Sequence, residues 1–216
     1  MKIGHYFLAL GLMCISGAAY CSNSTGPDRQ IPVAALKKYL AQQGDFCLGK
    51  FDWPIDVSES DIQMKTRDAV QMPVLEKLGL AASTSEPVMR KVEDKEISVP
   101  VKRYTLTEAG KKFYLDNKTS ITTLGGNKIV HHGDFCAAKL SLNKLVRREK
   151  PEPSGDNSEI MMTYTYRISA AKWARDPEIQ KVFPMLARVL QGEGTLQLQQ
   201  RFRRSGDSWA AVHPDE

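Results

Sequence analysis

The chain has 216 residues, of which 42% are apolar and 25% charged. That balance excludes a disordered or collagen-like chain and allows a buried core. Lys and Arg total 30 against 25 Asp and Glu, a net charge of +5 with the two signs interspersed. This is too mild to make nucleic acid the expected partner.

In chain order, Lys2 precedes the apolar run Tyr6 to Ile15, and the small residues Ser16, Gly17, Ala18 and Ala19 follow. These are the parts of a cleavable secretory signal over residues 1–19. The run is shorter than the roughly 20 apolar residues a membrane span needs. Cys21 follows the signal directly and is a candidate lipidation site, with Tyr20 where a small residue normally stands. Residues 20–30, polar and containing Gly26-Pro27, read as a tether.

Ile31 to Gln43 is expected to be a helix: Pro32 suits a first turn, Val33, Leu36, Tyr39 and Leu40 recur at helical spacing, and Gly44 ends it. Phe46 to Trp53 reads as a short strand stopped by Pro54. Ser58 or Ser60 caps a second helix running to about Gln71, with Pro73 opening or kinking a further stretch that Gly79 closes. Two strands, Pro87 to Val92 and Ile97 to Leu106, flank the charged turn Glu93 to Glu96. Thr107 caps a helix to Leu115, and Asp116 to Lys128 reads as a polar loop or junction. The remainder reads as strand (Phe135 to Arg148), strand (Ile160 to Ile168), helix (Ala170 to Leu190, interrupted at Pro177 and Pro184), then strands Thr195 to Arg203 and Trp209 to Val212. The expected fold is α+β, with a helical and hairpin half over 31–118 and an antiparallel meander plus helix over 128–213.

A seven-residue pattern occurs twice. Gly44-Asp45-Phe46-Cys47-Leu48-Gly49-Lys50 and Gly133-Asp134-Phe135-Cys136-Ala137-Ala138-Lys139 share Gly-Asp-Phe-Cys-x-x-Lys. Export would place both thiols where they pair, so Cys47–Cys136 is the expected disulfide. Asp45 and Asp134 either share a proton or hydrogen-bond the turns leading into their strands.

Basic residues concentrate in two places. Lys144, Arg147 and Arg148 lie in one strand, and Arg201 and Arg203 alternate onto one face of another. Together these five are a candidate face for an acidic partner, against the alternative of a solvated sheet surface. His131 and His132, with Cys136 close by, are the best candidates for a metal-dependent or hydrolytic site. Adjacent strand residues point to opposite sides, so one histidine at most could serve. No phosphate loop or nucleophile elbow is present in the sequence, and no cofactor is expected.

Leu75-Glu76-Lys77-Leu78-Gly79-Leu80, a hairpin-like insert, and Tyr104-Thr105-Leu106-Thr107-Glu108-Ala109-Gly110 together resemble the winged-helix transcription regulators. The resemblance covers about 45 residues between Ser60 and Leu115. It implies a recognition helix ended by Gly79, a hairpin wing and a helix capped by Thr107. The presumed recognition helix mixes Asp61, Lys65, Arg67 and Asp68, whereas a DNA-reading face is strongly basic. More loosely, the whole chain resembles exported or lipoprotein-like bacterial proteins of uncharacterised activity. The reading that results is a non-catalytic binding or accessory protein of the cell envelope, an inhibitor or immunity-type partner of another protein. The membrane is touched only through a lipid on Cys21. A metal-dependent or hydrolytic enzyme using His131/His132 is the alternative, and nucleic-acid binding the least favoured.

Overall fold

The computed structural model describes residues 27–92, 94–116, 119–123, 125–149, 159–206 and 208–212. The signal segment 1–19 and Cys21 lie outside the described residues. Helix and strand are mixed around a curled antiparallel sheet, as expected of an α+β chain.

Helix α1 spans Pro27–Gln43. It begins before the end of the expected tether, so Pro32 lies inside the helix rather than in its first turn. Leu36 and Leu40 are buried against Ile160, Met162, Tyr164 and Phe202. Each such leucine contributes about 1.5–3 kcal/mol by leaving water. Gly44 then lets the chain turn where backbone crowds it. A Cβ there would lie 2.2 Å from the Leu40 carbonyl oxygen and 2.5 Å from that of Leu140. Only Asp45–Cys47 forms a strand, β1. The expected strand to Trp53 is shorter because Leu48 to Lys50 turns away to meet Asp134.

The next unit is β2 (Ile55–Ser58), α2 (Glu59–Gln63), α3 (Arg67–Lys77), β3 (Ala81–Val92) and β4 (Lys95–Leu106), whose three strands pair in the order β2-β4-β3. One helix from Ser58 to Gln71 was expected, but two form. Ser58 caps α2 and Thr66 caps α3, with Lys65 between them at φ 53°. Pro73 sits within α3 without ending it. Thr107 caps the short α4 (Glu108–Lys111), and β5 is Tyr114–Leu115. The polar stretch expected as a loop forms a hairpin, β6 (Thr119–Thr122) with β7 (Lys128–His131).

The long strands follow: β8 (Asp134–Glu149) and β9 (Glu159–Ala170). After a 3-10 turn at Lys172–Arg175 come α5 (Pro177–Val182) and α6 (Pro184–Gln191), each opened by a proline. Finally come β10 (Gln197–Ser205) and β11 (Ser208–Ala211). The sheet runs β1-β8-β9-β10-β11, with β5 on β8. One core joins the chain's two halves: Leu48, Val57, Leu75 and Tyr104 pack with Phe135, Ala174, Ile179 and Leu186. Among the described residues no helix is long and apolar enough to cross a membrane.

Candidate functional site: the polar face of the long sheet

Strands β8, β9 and β10 are hydrogen-bonded side by side, and their register decides which residues share a face. Even-numbered residues of β9 (Ile160, Met162 and Tyr164) lie under α1 with Leu145 and Phe202. The odd-numbered residues therefore form the opposite face. There Glu159 is opposite Arg203, and Met161 lies between Arg201 and Glu149. Thr163 lies between Gln199 and Arg147, and Thr165 between Gln197 and Lys144. Four of the five expected basic residues thus gather on one surface.

A β-bulge produces this gathering. In a regular strand Lys144 and Arg147, three residues apart, would point to opposite faces. The register shifts between Leu145 and Arg147, so Val146 is the extra residue and both cations emerge together. The same shift places Arg148 opposite Met162, on the face that carries α1. Arg148 is therefore the exception to the expected set: it lies on the reverse side of the sheet.

The face is internally braced. Arg203 Nε lies 2.9 Å from Glu159 Oε1, Arg201 Nη1 lies 3.9 Å from Glu159 Oε2, and Arg147 Nη2 lies 3.1 Å from Glu149 Oε1. Asn143 Nδ2 donates to Thr165 Oγ1 at 3.1 Å and Asn143 Oδ1 accepts from Arg167 Nε at 3.2 Å. Gln199 Nε2 donates to Thr163 Oγ1 at 3.4 Å. Thr163 and Thr165 are buried beneath these longer side chains. The outer groups stay in water: the side chains of Arg147, Arg201 and Arg203 are 61%, 54% and 42% exposed. Among the described residues, Lys144, Arg147, Arg167, Arg201 and Arg203 share this part of the face with the carboxylates Glu149 and Glu159. Such a surface attracts an acidic one and orients it by charge.

Cys47 and Cys136 are disulfide-bonded and are register partners across β1 and β8. Neither thiol is then available as a metal ligand beside His131 or His132. His131 stacks on Phe51 with ring centroids 4.2 Å apart, and its Nδ1 lies 2.9 Å from Asp52 Oδ2. His132 is exposed. Among the described residues no group of three His, Cys, Asp or Glu side chains is placed to hold a metal ion. Asp45 and Asp134 do not share a proton. Asp45 pairs with Lys139 at 3.4 Å, and Asp134 accepts from the backbone N–H groups of Gly49, Lys50 and Phe135.

One charged residue escaped sequence reasoning. Lys50 is only 3% exposed, with its ammonium donating to the Asp68 carboxylate. Burial pulls its pKa below the usual lysine value, and Asp68 opposes that shift. Its place as the last residue of the repeated heptapeptide was the available signal. No family model matches this chain, and neither a curated protein nor a solved structure matches it.

Proposed function

We propose that the chain is an exported binding protein of the cell envelope, without catalysis of its own, that docks an acidic protein partner on the polar face of β8, β9 and β10. The observation that carries this reading is the bulge at Val146, which brings Lys144 and Arg147 onto the face of Arg201 and Arg203. A disulfide at Cys47–Cys136 supports export, because such bonds persist in oxidising compartments. Glu159 restrains Arg203 and, less closely, Arg201, and Asn143 restrains Arg167, which lowers the entropy those side chains lose on docking. An inhibitor or immunity-type role fits a rigid, charged face of this kind.

Residues 55–111 are, in our reading, a winged-helix-like unit. Its support is the order strand, helix, helix, hairpin, with strand order β2-β4-β3, Gly79 at φ 71° after α3, and Thr107 capping α4. Nucleic-acid reading is disfavoured, because α3 carries α5 on its flank. Lys77 Nζ pairs with Glu178 Oε1 at 2.7 Å and Gln71 Nε2 donates to the Val182 carbonyl at 2.8 Å.

The test compares two variants against the native chain as baits in envelope extract. One reverses Lys144, Arg147, Arg201 and Arg203 to Glu. The other reverses four cations elsewhere: Lys37, Lys38, Arg90 and Lys91. A protein retained by the native and control baits but lost by the face variant is the expected result. Equal retention by all three contradicts the docking face.

A further inference from the structure

Strand β8 becomes an edge of the long sheet partway along its length. β1 pairs with it only as far as Lys139, and one further bond runs from the Leu140 N–H to the Gly44 carbonyl. Over residues 141–147, β9 holds one side of β8 and no strand among the described residues holds the other. Successive backbone groups of a strand point to its two sides, so this stretch directs N–H and C=O groups away from the sheet. It contains no proline, so every N–H is present. β3, the other long edge, is interrupted by Pro87.

The edge differs between its two faces. Ser141, Lys144 and Arg147 lie opposite Arg167, Thr165 and Thr163, on the polar face. Leu142 and Leu145 lie opposite Tyr166 and Tyr164, on the face that carries α1, and both are only partly buried. A groove of about 480 Å³ runs between α1 and the start of this edge, walled by Leu40, Ala41, Leu140 and Leu142, with Lys37 and Lys139 beside them. Each feature narrows what can lie there. The outward backbone groups of a strand are matched by another polypeptide backbone, which a lipid or a free anion does not supply. Leucines on one face and cations on the other select a strand whose residues alternate between apolar and acidic. A second copy of β8 is disfavoured, because antiparallel pairing would set Lys144 and Arg147 against their counterparts. The register shifts after Leu142 and Leu145, together with the cations, discourage indiscriminate edge pairing. An acidic strand turns the cations from a barrier into an attraction.

We propose that the acidic partner of this face binds by adding an extended strand to the open edge of β8 over residues 141–147. Its acidic side chains lie beside Lys144 and Arg147, and its apolar ones beside Leu142 and Leu145. This inference rests on the sheet-face reading and specifies the form of the partner segment.

The experiment titrates the oxidised full chain by calorimetry with an N-acetyl octapeptide amide of alternating Glu and Val. Companion peptides carry backbone N-methyl groups on every Glu or on every Val, and a further one has Lys in place of Glu. The acidic peptide is expected to saturate and to slow amide hydrogen exchange over residues 141–147. Backbone N–H groups alternate in direction along a strand. One N-methylated peptide should therefore bind about tenfold or more weakly, and the other should keep its affinity. The Lys peptide should not bind. Lys144→Glu with Arg147→Glu should weaken every acidic form. If both N-methylated peptides bind as the parent does while the charge reversal still weakens them, strand addition is overturned and the charged face stands. An acidic peptide that does not saturate, or that the Lys peptide matches, overturns the proposal. Binding indifferent to the charge reversal overturns the face reading with it.

Discussion

At the scale of single residues, the repeated heptapeptide explains itself once its two copies lie antiparallel. Antiparallel pairing of one sequence with itself, centred on Cys, brings the Asp of each copy to the Lys end of the other. Asp45 meets the Lys139 ammonium, and Asp134 meets the Lys50 backbone N–H at 2.8 Å. The leading glycines are fixed by close approach. A Cβ on Gly133 would lie 2.5 Å from the Tyr114 ring, as one on Gly44 would press on two carbonyls. Gly44→Ala and Gly133→Ala should each destabilise by about 1–3 kcal/mol in denaturant titration, as overpacking does; an unchanged midpoint in both would refute the close packing. The disulfide joins residues 89 apart in sequence. Cys47→Ser and Cys136→Ser should each lower stability by up to about 4 kcal/mol on loop-closure grounds. The double variant should match the singles, since the two sulfurs act as one unit. Additive losses would argue against that. The cysteine pairing was legible because both contexts are alike. The fate of Lys50 was not, because equal sequence does not mean equal cover: Asp68 of α3 lies over one lysine, whereas the Lys139 side chain is 47% exposed.

Among the elements, β8, β9 and the proline-opened helices were legible, whereas the first half of β3, from Ala81 to Glu86, and the breaks between short pieces were not. Alternation over Ile160 to Ile168 and prolines at positions 177 and 184 are strong local signals. The break between α2 and α3 was hidden in polar sequence. Ile62 and Met64 are exposed, so no apolar period marked where one helix stopped. The β6–β7 hairpin looks like loop in the sequence for a related reason: its turn carries Gly125-Gly126, and its exposed Ile129 and Val130 face no core. In the three-stranded sheet a charge cluster ties the strands. Arg103 donates to both oxygens of Asp56, at 2.7 and 2.8 Å, and reaches Glu86 at 3.1 Å. Arg103 holds the Asp56 carboxyl below its ordinary value. The folded state thus binds this proton less readily than the unfolded one, so the pair's contribution is present above the ordinary carboxylate pKa. It fades as pH falls through the lower, folded value. Asp56→Asn should cost about 1 kcal/mol at neutral pH, and the difference from the native chain should shrink in acid. A difference that stays constant between neutral pH and about pH 2 would contradict the pairing.

The whole molecule couples these pieces: one core spans both halves, and the disulfide joins β1 to the long sheet. The chain's mild net charge conceals an uneven surface, because Lys144 and Arg147 of β8 share one face with Arg201 and Arg203 of β10. Alternation made Arg201 and Arg203 legible as neighbours. It would have grouped Lys144 with Arg148, however, and only the bulge at Val146 exchanges Arg148 for Arg147. Bulges have no reliable sequence mark here, since Val146 reads as an ordinary strand residue. If the chain is exported as proposed, intact mass from native cells should show a start between Ala19 and Ser22, with a lipid increment if Cys21 is acylated; a start at Met1 would contradict export. The docking face is tested most directly by association kinetics with the protein that the native bait retains and the face variant loses. Reversing Arg147 and Arg201 to Glu should slow association by about tenfold at low salt and flatten its dependence on ionic strength, leaving the melting temperature nearly unchanged. Rates and salt dependence equal to those of the native chain would contradict the assignment of this face.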